Sequence, residues 1–344
     1  MGIRDTRLSF GVYRKGSYNK ITDVQGVKVG HLTVDSGDIQ TGITAILPCD
    51  DSPFTHKLPA ACHVINGFGK STGLMQISEM GSLESPILLT NTFCVPAVSQ
   101  GLIKYMLKDH SSIGDSLPTV NTVVCECNDG YLNDIRKMVL KPSDVLKAIG
   151  NAGFDFREGA VGAGRGMRCY GLKGGIGSAS RIIDIGEKTY TVGALVLCNF
   201  GSPSDLMILG RHPDIDPEAV TDSGSCVVIL ATDLPLTSRQ LGRCARRAQN
   251  GIARTGSYTG SGSGDIVIMF STQNRIPQSY GDSLLSARYL PDTSLDPVFE
   301  MVTDCVEESI VSCLMHAVNV TGRAGRTLQC LREADPYYML YSVR

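Results

Sequence analysis

The sequence predicts a layered α/β protein, and three observations carry that expectation. Apolar runs of strand length alternate with amphipathic helical segments along all 344 residues, the order that interleaved layers require. Two runs, "TYTVGALVLCNFG" and "CVVILATD", are strongly apolar, as strands covered on both faces are, and "GDIVIMFST" reads as another strand. No Pro-rich, Ser-rich or like-charged stretch is long enough to link two separate bodies.

Taken in order, "ITDVQGVKVGHLTV" alternates apolar and polar residues around a Gly turn, and "TGITAILP" is a short apolar strand closed by Pro48. "SPILLTNTF" and "TVVCE" read as buried strands, with "SQGLIKYMLKDH" as the helix between them. "KPSDVLKAIGNAG" offers Ser143 as an N-cap and a Gly stop at its end. "SRQLGRCARRAQNGIART" reads as one amphipathic helix with Leu241, Cys244, Ala245, Ala248 and Ile252 inward. A last long helix is expected from Asp296 as N-cap, through Pro297 at the first helical position, to about Val318. Its apolar stripe is Val298, Met301, Val302, Cys305, Ile310, Leu314 and Ala317.

Composition excludes several classes. The chain is 42% hydrophobic and 19% charged with a formal net charge of −2, which gives no reason to expect nucleic acid or an anionic membrane as partner. The arginines of the 238–255 helix lack the interleaved aromatics of a nucleic-acid platform and read as a solvated face. The twelve cysteines lie singly inside apolar segments, apart from the C-x-C pair Cys125 and Cys127, so free buried thiols are expected. That pair has no second pair or nearby His, and the six histidines are scattered, so no metal site is expected. The N-terminus has no apolar signal core and no run reaches bilayer length, which predicts a soluble, cytoplasmic protein. Met1-Gly2 with Thr6 fits a myristoylation pattern, but so short a pattern matches by chance.

Several segments carry candidate chemistry. "VGAGRGMRCYGLKGGIGS" is glycine-rich but has neither dinucleotide nor P-loop spacing, since Lys173 precedes its glycines. Close backbone packing is the expected role, and a nucleotide-binding reading ranks last. Glu126 ends the strand "TVVCE" before the Asn128-Asp129-Gly130 turn. It is either a solvated strand-end carboxylate or a holder of a substrate ammonium. Ser263 and Asp265 in "GSGSGD" lie two apart at a strand mouth and point to one side if extended. Asn199 ends "LCN" as a turn residue or an oxyanion donor. Ser225 stands at the head of "SCVVILATD". If the Gly224–Ser225 bond is cut, the freed α-amine, with an ordinary pKa of ~7.7–8.0, makes Ser225 both nucleophile and base, and no His is needed.

The sequence is similar to the L-aminopeptidase/D-amidase/esterase (DmpA-type) family and the related β-aminopeptidases. The likeness runs in order through "ITDVQGVKVGH", "GSLESPILLTNT", "NDGYLND", "VGAGRGM", "KGGIG", "ATDLPL", "GIARTGS" and "GSGDIVIMFST". It implies a single four-layer αββα sandwich over residues 1–344, resembling N-terminal nucleophile hydrolases but connected differently. It also implies self-cleavage into 1–224 and 225–344, and hydrolysis of short peptides, amides or esters with a free amine. By motif, Ser225 is the nucleophile, and Ser263 and Asp265 orient it and its amine. Asn199 is the oxyanion residue; Glu126 receives the substrate amine, with Tyr131 lining its pocket. No cofactor is implied, and a homo-oligomer, a tetramer of paired chains, is. Two positions depart from the pattern. Asp265 stands where β-aminopeptidases have Glu, and Arg165 replaces a small residue, facing either the site or solvent. Ornithine acetyltransferase-type enzymes resemble the same architecture but use Thr, and an uncleaved binding protein is the non-catalytic alternative.

Overall fold

The computed structural model describes residues 8–215, 224–279, 281 and 283–336. The myristoylation pattern at Met1, Gly2 and Thr6 lies outside them. The chain enters through a short 3-10 turn into the hairpin β1 (Lys28–Ser36) and β2 (Ile39–Leu47), then the long β3 (His56–Gly67). Helix α1 (Leu74–Met80) and β4 (Ser82–Leu83) lead to β5 (Ile87–Asn91), α2 (Val95–Asp109) and β6 (Val123–Cys127). After α3 (Asp144–Gly150), the small hairpin β7 (Arg168–Cys169) and β8 (Leu172–Lys173) precedes the long pair β9 (Gly175–Ile185) and β10 (Lys188–Asn199). Next come β11 (Ser225–Thr232), α4 (Ser238–Ala245), α5 (Ala248–Arg254), β12 (Gly264–Ser271) and β13 (Ile276–Pro277). Helix α6 (Asp296–His316), the hairpin β14 (Val320–Thr321) and β15 (Thr327–Leu328), and α7 (Leu331–Ala334) close the described chain.

Two sheets form the interior. One has four strands in the order β1-β2-β5-β6; the larger runs β13-β3-β12-β11-β10-β9, with β4 on β3. Alternation within the apolar strands divides the core. Leu195, Leu197, Val227, Ile229, Ile266 and Ile268 meet Ile46, Ile87, Leu89, Val123 and Cys125 between the sheets. Ala194, Val196, Val228, Leu230 and Met269 face the other way, onto Leu241, Ala248, Ile252 and the α6 residues Val302, Cys305 and Ile310. Ile43, Leu88 and Val124 face Val98, Leu102 and Val145 of α2 and α3. Helices therefore cover both outer faces, giving the αββα order. Burial on both faces is why these strands lack a polar stripe. Gly177 lets α6 lie directly on β9, since a Cβ there would come 1.9 Å from the Ser309 carbonyl oxygen.

Two local expectations are corrected, and a third holds in position but not in bonding. The 238–255 segment is two helices, because Arg247 N–H bonds to Cys244 O and breaks the α pattern; its guanidinium then sits 4.0 Å from the Phe299 ring centroid. The inward residues are as expected, all buried. Asp296 is the first helical residue of α6, which ends at His316; Leu295 holds the N-cap position without a side-chain cap bond. Ser143 occupies the N-cap position of α3 but makes no cap bond; Asp144 Oδ2 accepts from Lys141 N–H instead.

Buried charge pins the N-terminal segment. Glu308 on α6 and Arg181 on β9 pair with both side chains fully buried. Glu308 also accepts from Lys15 Nζ and Asn19 Nδ2, and Arg181 donates to Phe10 O. Removing one member leaves an uncompensated buried charge, costing about 3–5 kcal/mol. Glu308→Ala is expected to lower the unfolding free energy by about that amount in chemical denaturation, and Arg181→Met with Glu308→Met to recover part of it.

Candidate active site

The apolar ladder of β10 and β11 pairs eight residues on each strand, and its last pair is Asn199 opposite Ser225. Both are nearly buried. On the other side of β11 runs the parallel strand β12, with Val227 opposite Ile266. That places Gly264 N–H 3.1 Å from Ser225 Oγ, which accepts its hydrogen bond. Ser263 Oγ donates to Asp265 Oδ1 at 2.7 Å, and the same oxygen accepts from Cys226 N–H at 3.0 Å. A β-bulge between Asp265 and Ile266 breaks the register with β3; bulges re-aim a side chain at a strand end. The shorter Asp265 side chain thus reaches the backbone N–H next to Ser225 without help.

Asn199 is oriented by a group that sequence reading missed. Its Oδ1 accepts from Arg168 N–H at 2.9 Å, so its carbonyl is held and its NH2 is left to face elsewhere. Asn199 lines a cleft of about 360 Å³ with Asn128, Tyr131, Arg168, Phe200, Gly224 and Arg323. Gly224 fits there only because it has no Cβ, which would lie 1.7 Å from the Asn199 carbonyl oxygen. Tyr131 shares this cleft, and its ring centroid lies 4.7 Å from the Arg168 guanidinium and 5.2 Å from that of Arg326.

Glu126 approaches from another direction. Alternation on β6 sends Cys125 and Cys127 into the inter-sheet core and leaves Glu126 at the strand end, buried. Oε1 accepts from Lys70 N–H at 2.8 Å and Oε2 from Thr92 Oγ1. Glu126 Oε1 and Gly264 Cα both lie within 4 Å of the point where a Gly69 Cβ would sit, so Glu126 abuts the strand mouth that holds Ser225 Oγ. A carboxylate has about four acceptor positions, so two bonds leave room for an ammonium group. Lys70 and Thr92 also border an apolar depression of about 660 Å³ with Phe93, Val95, Pro96 and Met138. Cys127 Sγ donates to Ser225 O at 3.3 Å, tying the smaller sheet to the larger at this point. The C-x-C pair is thus a packing feature, and among the described residues no group of His, Cys, Asp and Glu could hold a metal ion.

The glycine-rich segment braces the site from below. Lys173, fully buried, donates to the carbonyl oxygens of Gly164, Met167 and Gly174 at 2.7–2.9 Å. Burial pulls its ammonium down to about 7, but three acceptors call for three N–H donors. Asp129, beneath the Asn128–Tyr131 turn, is held by Asn133 Nδ2, and burial raises its carboxyl to about 7. Arg165 donates to Gln40 Oε1 and pairs with Asp35 at 2.7 Å on the β1–β2 hairpin.

In this geometry a serine hydroxyl has a backbone donor, a neighbouring buried carboxylate, an opposed amide side chain and a carboxylate one loop away. It is a hydrolase arrangement without a histidine. The comparisons agree. Residues 19–328 match Peptidase family S58, and the chain belongs to that family. It is 37% identical over 351 residues to the β-peptidyl aminopeptidase BapA of Sphingosinicella microcystinivorans, covering 94% of this chain and 87% of the relative. The solved β-aminopeptidase of a Burkholderia species superposes with a TM-score of 0.90 at 36% identity, over 100% of this chain and 99% of that one. The Ochrobactrum anthropi L-aminopeptidase D-Ala-esterase/amidase, described as a variant of the Ntn hydrolase fold, gives a TM-score of 0.90 at 35% identity, over 98% and 99%. Gly224→Ala should push the Asn199 carbonyl out of its pairing, and denaturation should show a loss of about 1–3 kcal/mol, with the overall circular dichroism retained.

Proposed function

We propose that this chain is a self-processing serine aminopeptidase and amidase that removes N-terminal residues from short peptides, amides or esters. The supporting observation is the position of Ser225: it heads a buried strand, receives a bond from Gly264 N–H, and faces Asn199 across the ladder. Family membership makes the hydrolase class firm.

In processing, Ser225 Oγ attacks the Gly224 carbonyl carbon. The C–N bond breaks, the hydroxyl proton ends on the departing nitrogen, and an ester links Gly224 to Ser225 Oγ. Water hydrolyses that ester, leaving a Gly224 carboxylate and a Ser225 residue with both hydroxyl and α-amine. Residues 1–224 and 225–344 then stay together, since the β10–β11 ladder and the inter-sheet core join them. In turnover, the amine takes the hydroxyl proton as Oγ attacks the scissile carbonyl. Asn199 Nδ2 and backbone donors hold the oxyanion. The leaving amine takes the proton, and water releases the acyl group. Asp265, with Ser263, holds the new ammonium or amine in place, and Glu126 binds the substrate's own ammonium.

The finer parts of this reading are a cytoplasmic location and a homo-oligomer, a tetramer of paired chains. All twelve cysteines are free thiols, which fits a reducing compartment. No helix among the described residues is long and apolar enough to cross a membrane. Exposed Phe93, Ile103, Leu107 and Met138 fit a subunit contact.

Intact mass of the purified protein tests processing: two chains divided at Gly224 are expected, and a single chain in Ser225→Ala. A fully active preparation with one unbroken chain defeats the proposal. Asn199→Ala should lower kcat by about 10²–10³-fold with a smaller change in KM, measured on an aminoacyl-p-nitroanilide. The kcat/KM profile should fall on the acid side with an apparent pKa near ~7.7–8.0, because a protonated α-amine cannot accept the serine proton.

A further inference from the structure

Among the described residues, two arginines line the cleft beside Asn199, and the chemistry above gives their side chains no role. Arg168 and Arg323 both line it, whereas the described lining residues include no Asp or Glu. Arg323 Nη1 donates to Gly130 O at 3.2 Å and Arg326 Nη1 to Tyr131 O at 3.3 Å, so both guanidiniums are anchored on the turn that carries Tyr131. Arg168 and Arg326 lie about 5 Å from one aromatic ring. The fork of a guanidinium matches a carboxylate in a paired hydrogen-bond geometry.

Position gives the charge its meaning. Ser225 lies between Gly264, near Glu126, and Gly224, which lines the arginine cleft. On the proposed reading, Glu126 takes the amine of the residue being released. The departing half of the substrate must then extend to the other side of Ser225, into the cleft with Asn199, Arg168 and Arg323. We infer that this cleft is a carboxylate-binding subsite for the leaving half, so that the preferred substrates are very short peptides ending in, or carrying, a carboxylate just beyond the scissile bond. Glu126 and the arginines then read opposite charges at the two ends of one small peptide. This inference rests on the aminopeptidase reading and specifies its substrate class.

The carboxylate can come from the peptide C-terminus or from an acidic side chain, and three substrates separate these. Alanyl-glycine, alanyl-glycinamide and alanyl-aspartic acid α-amide, each also as the β-alanyl peptide, are compared by kcat/KM with the purified processed enzyme. Alanyl-glycine, or the aspartyl amide, should exceed the glycinamide by about tenfold or more, the worth of one charge-assisted hydrogen bond. Which of the two exceeds it identifies the source of the carboxylate. That ratio should fall toward 1 in Arg323→Gln and further with Arg168→Gln, be partly kept in Arg323→Lys, and shrink as salt is raised. Replacing the Arg168 side chain leaves its backbone N–H in place for Asn199. Equal kcat/KM for all three substrates in the wild-type enzyme overturns the subsite while leaving the aminopeptidase standing. Hydrolysis of none of them, nor of an aminoacyl-p-nitroanilide, overturns both.

Discussion

The pairing of β10 with β11 is the constraint on which the site depends. Eight successive residue pairs, nearly all apolar and buried on both faces, leave this ladder no alternative register. A slip of one residue would send Leu195, Leu197, Val227 and Ile229 to the wrong side of the sheet. Because the register cannot slip, its terminal pair, Asn199 and Ser225, is placed as firmly as the core itself. The parallel neighbour β12 then brings Gly264 N–H and the Ser263–Asp265 pair alongside, and Cys127 fastens the second sheet to the Ser225 carbonyl.

Around that ladder, polar groups are held by direct hydrogen bonds from neighbouring loops and strands. Arg168 N–H turns Asn199, the Thr92 hydroxyl and Lys70 N–H fix Glu126, and the Lys173 ammonium gathers three loop carbonyls. Each replaces water that burial removed, as buried polar groups require. The result is a preorganised site, in which donors are already set before any substrate arrives. The unusual Arg165 belongs to this bracing: its charge is spent on Asp35 and Gln40, binding the β1–β2 hairpin to the glycine-rich loop. Arg168, three residues on, lines the cleft instead.

Much of this was legible in the residues. The apolar runs located the smaller sheet and the strands β10, β11 and β12 of the larger one, but not β3 or β9, whose polar and glycine residues break the apolar pattern; the stripe from Val298 to Ala317 located α6. The two-residue spacing of Ser263 and Asp265 placed them on one side. Helix ends were less legible: Ser143 holds the N-cap position of α3 but makes no cap bond, and Asp296 lies one residue inside α6. Least legible were Cys127, Arg168 and Arg323, whose types signal nothing until distant segments meet. Cys127 looked like half of a C-x-C pair, and Arg168 like one more charge in a glycine-rich loop.

The sequence by itself determined the layered class, the faces of its elements and, through ordered motifs, the family and the residues to suspect. Periodicity and turn chemistry act over a few residues, so a linear reading captures them. Tertiary structure alone decided which of those residues meet: Asn199 across from Ser225, Glu126 behind Gly69, and the arginines around Tyr131. Those contacts join positions from 26 to nearly 200 residues apart, and they follow from strand order and register, which no local pattern encodes.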